Sequence, residues 1–276
     1  MILPSRAPPY LPFLDGAPLL VPGLKPIEMA DWLAPDTEAL HWLKQKHEIM
    51  RTRRAQVFGD KGIGPVGDDV LARVCEATGD VPEDWSTPLE QAAAMVSDDL
   101  CVMAKIDEHW VLQAASLCAP TFWRLSDMLG KPLVGLHADV PGANQNLVPR
   151  VARIFEGLRG GIVLERLNWT VQAGDERFTP DSAPLKAFAA QALVADDDAL
   201  DVLHLRVERQ TICRLDDTHI LFTIRVCLDP LRAAMSTSSN VAAFKVAWEG
   251  ISTQFAAYKG WPVYDPLVRA ALRALS

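Results

Sequence analysis

Six histidines (His41, His47, His109, His137, His204 and His219) and five cysteines (Cys75, Cys101, Cys118, Cys213 and Cys227) carry the chain's metal-ligating potential, and their spacing limits what they can do. No two cysteines stand at Cys-x-x-Cys spacing, and no histidines form a His-Glu-x-x-His pair. A zinc ribbon or zinc hydrolase centre is therefore not expected. An odd cysteine count without paired spacing also argues against a disulfide framework and points to a reducing compartment, the cytoplasm. A cofactor that needs a single protein ligand is compatible with this pattern, and haem is one. His137 has the most distinctive surroundings, in Leu-His-Ala-Asp-Val-Pro-Gly, with an apolar run before it and a proline turn after it. A histidine there serves either as a hydrogen-bonded structural residue or as an axial iron ligand held rigid by Pro141.

The second chemical grouping is a carboxylate among arginines. Val202–Leu215 and His219–Leu228 alternate as two extended runs around Asp216-Asp217. A two-residue turn there would pair Leu215 with Thr218. Arg206 would then lie opposite Cys227, Glu208 opposite Arg225 and Gln210 opposite Thr223, all on one face. The other face would carry Leu205, Val207, Thr211, Phe222, Ile224, Val226 and Leu228, with Arg209 as its polar exception. A one-residue slip would separate these partners. The preceding run adds Arg166, Asn168 and Thr170 on one face. If these polar rows share a pocket, Glu208 is its one acid among Arg206, Arg225 and Arg166. Such a carboxylate could meet a cationic substrate, while the arginines could hold anionic groups such as haem propionates in fork geometry. If the rows face water, they are a solvated strand face with a cross-strand ion pair.

These residues need elements to position them. The chain has 276 residues, about half of them apolar, so it can build a sizeable core and is not disordered. Its 27 Lys+Arg against 35 Asp+Glu give no electrostatic footprint for nucleic acid. No apolar run is long enough for a membrane span, and the proline-bearing start lacks the apolar stretch of a signal peptide. Prolines 4, 8, 9, 12, 18, 22 and 26 mark an extended arm, assigned to residues 1–30. Residues 31–98 read as a helical extension. Its first helix follows Asp36, with Leu40, Leu43 and Ile49 on one face, and further helices span Asp68–Ala77 and Thr87–Asp98. The arginines at 51, 53 and 54 suit the C-terminal end of the first helix. The glycines at 59, 62, 64 and 67 form a turn that does not match a nucleotide loop.

Strands are expected at Cys101–Ile106, Trp110–Cys118, Ile162–Val171, Val202–Leu215 and His219–Leu228, with helical or irregular chain over 121–160. Two strands, a helical connection, then three strands is the order of a PAS-type domain. The fold class expected is therefore α+β, a PAS-like five-stranded antiparallel sheet with crossing helices and a pocket between. This core covers 99–232, and C-terminal helices over 233–276 pack on it. Asp196, Asp197 and Asp198 read as a solvated acidic loop.

Five segments resemble the haem-dependent oxidative N-demethylases: Val96–Cys101 (VSDDLC), Phe122–His137 (FWRLSDMLGKPLVGLH), Val140–Pro141, Arg166–Trp169 (RLNW) and Leu205–Leu231 (LRVERQTICRLDDTHILFTIRVCLDPL). The resemblance covers roughly residues 90–232, and the ERQT-x-x-RL run followed by FTIR is its most specific part. It implies a PAS-like protein with b-type haem and its iron. It also implies oxidation of a small alkylamine such as dimethylamine, using O₂ and electrons from a separate flavin and iron–sulfur reductase protein. Under it, His137 in the His-x-x-Val-Pro position is the proximal iron ligand. Arg206, Glu208, Arg209 and Arg225 belong to the pocket or its supporting shell, with Glu208 and Arg225 as catalytic candidates and Arg166, Arg206 and Arg209 as cofactor-binding candidates. Two stretches depart from the family pattern: Asp216 replaces a proline, and Arg225-Val226-Cys227 replaces arginine-threonine-tyrosine. With Cys227 beside Glu208, the second change would remove a hydroxyl donor near the distal site. That leaves two rivals to the enzyme: a haem-binding sensor or gas-binding module without turnover, and a haem-free PAS-like scaffold.

Overall fold

The computed structural model describes residues 7–81, 83–195 and 198–275, so Pro4, Asp196 and Asp197 lie outside the described residues. Seven strands form one antiparallel sheet: β1 (Lys25–Ile27), β2 (Phe58–Asp60), β3 (Asp99–Ile106), β4 (His109–Ser116), β5 (Val163–Ala173), β6 (Leu203–Arg214) and β7 (His219–Pro230). Their order is β1-β5-β6-β7-β3-β4-β2. The five long strands expected from alternation are the inner five. The sheet is nevertheless wider than expected, because the three-residue β1 and β2 add to its two edges. Runs that short carry too little alternation to be read as strands.

Turn chemistry sets the registers. Asp107 and Glu108 both take positive φ (46° and 64°), and Ile106 pairs with His109 across this two-residue turn. That backbone matches the twist of the flanking strands. The β6–β7 turn is one residue longer than expected. Asp216 Oδ1 accepts hydrogen bonds from the Thr218 backbone N–H (2.7 Å) and from the Thr218 hydroxyl (3.0 Å). The Leu215 N–H bonds to His219 O at 3.0 Å, which leaves Asp216, Asp217 and Thr218 in the loop. An aspartate folded back on the amide two residues ahead competes with the tighter turn.

The helices bury different positions than hydropathy alone suggests. In the helix Ala39–Thr52 the buried residues are Ala39, Trp42, Lys46 and Met50, whereas Leu40 is 80% exposed. Lys46 counts as interior because its ammonium donates to the carbonyls of Ala93, Val96 and Asp98 at 2.7, 2.9 and 2.6 Å. Pro88–Met95 begins at Thr87, whose Oγ1 accepts from the Glu90 N–H. Residues 121–160 contain four short helices: Leu125–Met128, Leu133–Leu136, Ala143–Asn146 and Val148–Gly157. Ala183–Ala195, between β5 and β6, is a helix not anticipated from the sequence.

Two apolar clusters hold these layers together. One joins β3, β4 and β7 to the N-terminal helices and to the 121–160 segment. The other binds the C-terminal helices Ser238–Glu249, Thr253–Tyr258 and Trp261–Ala274 to β5 and β6. At its centre Trp248 and Trp261 stack at 4.0 Å, and Trp261 leans on Trp169 of β5 at 5.1 Å. Offset aromatic pairs of this kind add to the burial itself. No helix among the described residues is long and apolar enough to cross a membrane.

Candidate functional site

The longer β6–β7 turn divides the expected residue set between the two faces of the sheet. Glu208 pairs with Val226, Arg209 with Arg225, and Val207 with Cys227. Directly opposed residues share a face, so Arg225 and Cys227 lie on the side of Arg209, away from Glu208. Phe222, Ile224 and Val226 move the other way, onto the face of Glu208. The expected grouping of Glu208 with Arg225 and Cys227 is therefore corrected. The expected common face of Arg166, Asn168 and Thr170 is present, and the register sets Thr170, Asn168 and Arg166 opposite Arg206, Glu208 and Gln210.

On the Arg209 face, the polar side chains are tied to the N-terminal segment. Arg209 donates to the carbonyls of Trp32 (2.6 Å) and Asp31 (2.8 Å) and pairs with Glu165. Arg225 grips Asp98 through Nε (2.9 Å) and Nη2 (2.6 Å) and donates to Ala34 O (2.6 Å). Burial opposes the Arg225 charge, but the Asp98 carboxylate outweighs it and raises the arginine's pKa. Thr211 and Thr223 bond each other, and Thr211 accepts from the Trp32 indole. Burial drives the Cys227 pKa up, and its sulfur lies 3.8 Å from Asp36 Oδ2. The contacts to Asp31, Trp32, Ala34 and Asp36 close this side of the sheet with the N-terminal segment, while Glu165, Asp98 and the Thr211–Thr223 pair tie it to the strands themselves.

Arg206 sits on the Glu208 face but is fully buried and fully engaged. Its Nε reaches Thr121 Oγ1, Nη1 reaches Gln172 Oε1, and Nη2 reaches the carbonyls of Ala119, Pro120 and Arg177. Burial lowers its pKa to about 10 against the opposing pull of Glu208. With all three nitrogens bonded within the chain, Arg206 fastens β6 to the 119–121 and 177 segments.

The remaining residues on that face form a second constellation around Glu208. Glu208 is 8% exposed. Its Oε2 accepts from Asn168 Nδ2 at 3.0 Å and from Gln210 Nε2 at 2.8 Å. No ion pair within 4 Å engages it among the described residues, although Arg166, Arg206, Lys259 and Tyr258 all lie within its electrostatic reach. Arg166 is half-buried and, among the described residues, makes one hydrogen bond, from Nη1 to Val21 O at 3.2 Å. Burial lowers its pKa while Glu208 raises it.

His137 follows the helix Leu133–Leu136 and is half-buried. Its Nδ1 is 2.9 Å from Leu133 O. A carbonyl only accepts, so Nδ1 carries the proton and Nε2 keeps its lone pair in the neutral ring. Burial holds the pKa of His137 below the ordinary imidazole value, with the nearby Arg166 charge lowering it further. A neutral histidine with Nδ1–H tied to a carbonyl is oriented as an iron ligand needs. The donor set therefore fits haem: His137 Nε2 for the iron and the unengaged nitrogens of Arg166 for a propionate. Arg206 and Arg209 do not add to that set, because their nitrogens are already bonded.

Lys259 and Tyr258 were not singled out from the sequence. Lys259 lies between two helices, and its Nζ donates to Asn168 Oδ1 (3.0 Å) and Trp169 O (2.9 Å). Burial lowers its pKa to about 8, partly offset by Glu208. A lysine after a helix and before a glycine usually reads as a C-terminal cap in water, so the sequence held no signal for it. Comparison with known families adds one finding: the family model described as haem-dependent oxidative N-demethylase, alpha subunit-like, matches residues 69–269.

Proposed function

The chain belongs to the haem-dependent oxidative N-demethylase alpha subunit-like family, and from that premise we propose that it binds haem b through His137 and oxidises a small alkylamine. The observation that carries the substrate reading is Glu208. It is a nearly buried carboxylate that spends one oxygen on two neutral amides, with no cation within ion-pair distance among the described residues. Such a group is suited to an alkylammonium, because a charge-assisted hydrogen bond is stronger inside a protein than in water. The five inner strands, in the order β5-β6-β7-β3-β4, support the PAS-like reading of the core.

Bound haem would supply the oxidation chemistry, with O₂ as oxidant and electrons from a separate flavin and iron–sulfur reductase. The overall change converts R₂N–CH₃, O₂, two electrons and two protons into R₂NH, formaldehyde and water. The protein's own part is orientation. His137 presents Nε2 because Leu133 O holds its other nitrogen. Arg166 offers free donors to an anionic group, and Glu208 places the substrate nitrogen. Phe222, Ile224 and Val226 on the same face supply apolar walls that limit water.

The sensor reading drew its support from Cys227 as a missing hydroxyl beside Glu208. Cys227 lies on the opposite face against Asp36, so that support is gone. The test is direct. Protein reconstituted with haemin should show a Soret band that His137→Ala weakens or shifts, and it should release formaldehyde from methylated amines with reductant and O₂. Glu208→Gln should keep the Soret band and lose the release. A chain that takes up no haemin, or a Glu208→Gln variant with full turnover, would overturn the reading.

A further inference from the structure

The amide of Asn168 is held from both ends. Lys259 Nζ donates to its Oδ1 at 3.0 Å and to the neighbouring Trp169 O at 2.9 Å. The Asn168 Nδ2 then donates to Glu208 Oε2 at 3.0 Å, the oxygen that also accepts from Gln210 at 2.8 Å. Turning the amide over would set its NH₂ against an ammonium and its oxygen against a carboxylate. Both contacts would be repulsive in a setting that gives little screening. Lys259 thus selects one of two amide orientations, and that choice directs the Asn168 donor to Oε2, the oxygen that Gln210 also engages. No hydrogen-bond partner engages Glu208 Oε1 among the described residues.

The lysine is itself well anchored. It follows the helix Thr253–Tyr258 and precedes Gly260, whose positive φ of 71° starts the helix Trp261–Ala274. Trp261 is 2% exposed and donates its indole N–H to Thr170 Oγ1 at 2.9 Å, which fixes the helix start against β5. The ammonium also lies over the Phe255 ring at 5.2 Å. A cation placed this firmly, with neutral oxygens as its acceptors, keeps its charge near Glu208 without occupying the carboxylate.

We propose that Lys259 is a positioning residue for the amine site: through Asn168 it commits Glu208 Oε2 to internal hydrogen bonds and leaves Oε1 to receive the substrate ammonium. This rests on the amine reading of Glu208 given above. It assigns the two cations to separate oxygens, Lys259 acting on Oε2 through an amide and the ligand acting on Oε1 directly.

Two measurements test it, and the first needs no amine. In protein carrying ¹⁵N-labelled asparagine, the Asn168 side-chain amide should show one NH proton shifted by its carboxylate partner. Lys259→Met should move or average that signal while the far-ultraviolet circular dichroism and Soret band stay those of the wild type. The second is calorimetric titration of the haem-loaded protein with dimethylammonium chloride. Loss of one oriented hydrogen bond at the carboxylate predicts a Kd raised about tenfold in Lys259→Met, with Lys259→Arg restoring most of the affinity. If Lys259→Met does not fold, Lys259→Gln is used with the same expectations, since it loses the charge and shortens the reach. An unchanged Asn168 signal, or wild-type affinity in a variant set where Glu208→Gln abolishes binding, overturns the role of Lys259. Absence of dimethylammonium binding in every protein, with the Asn168 signal still dependent on Lys259, overturns the amine reading and leaves the positioning contact standing.

Discussion

Arg225 decides between two accounts of the Phe-Thr-Ile-Arg run, one catalytic and one architectural. Its side chain is 3% exposed and Asp98 is completely buried, so the pair is shielded from water on both sides. Replacing Arg225 with methionine keeps much of the volume but strands the Asp98 carboxylate and leaves Ala34 O without its donor. Breaking a buried pair by removing one partner costs about 3–5 kcal/mol, most of it the uncompensated charge. For a chain of 276 residues that corresponds to a fall in melting temperature of roughly 5–9 °C. The assay is chemical and thermal unfolding of Arg225→Met, followed by dimethylammonium titration at a temperature where the variant is folded. Stability should fall by the stated amount while amine affinity stays within about twofold of wild type, and Asp98→Asn on top of Arg225→Met should recover part of the loss. A variant with wild-type stability and no amine binding would refute the assignment of Arg225 to the far face.

Other consequences are checked more briefly. Lys46→Met should destabilise by about 2–5 kcal/mol in denaturant unfolding, because the carbonyls of Ala93, Val96 and Asp98 lose their shared donor. Asp99 is 1% exposed and accepts from the backbone N–H groups of Cys118 (2.7 Å) and Ala119 (2.8 Å), yet burial pushes its pKa from 3.8 up to about 6. The folded state then binds the proton before the unfolded one, so this group's contribution to stability improves as pH falls from about 6 to about 4 and is least favourable above that range. The stability difference between wild type and Asp99→Asn should therefore change across that interval and stay flat above pH 7; a flat difference throughout would refute the shift. Thr211→Val should cost about 1–3 kcal/mol in unfolding, since it strips an acceptor from the buried Trp32 indole and a partner from Thr223.

Much of this architecture was legible in the chain. Alternation located all five long strands, and Asp107-Glu108 marked a tight hairpin that the backbone confirms with two positive φ values. Counting in twos placed Arg166, Asn168 and Thr170 on one face of their strand, and the β5–β6 register sets that row opposite Gln210, Glu208 and Arg206. The error came from one turn. Asp216-Asp217 reads as a two-residue loop, but the Asp216 carboxylate folds onto the Thr218 amide and draws a third residue in. That single step carried Arg225 and Cys227 to the other side of the sheet. Leu40 misled for a different reason: hydropathy ranks it above Lys46, yet Lys46 finds three carbonyls and enters the core while Leu40 stays in water. Lys259 could not be found by pattern at all, because its meaning comes from Asn168, which is distant in sequence.

The segment that covers the Arg209 face has its own logic. It precedes the stretch matched by the family model, and the two arginines that hold it reach the backbone oxygens of Asp31, Trp32 and Ala34 rather than their side chains. Main-chain oxygens are present whatever residue stands there. Positions 31 and 34 can therefore drift freely in side chain and still be held, provided the backbone path is kept. Proline insertions and deletions are another matter, because they would slide the three acceptors out of register with Arg209 and Arg225. The strap is secured by its path more than by its spelling.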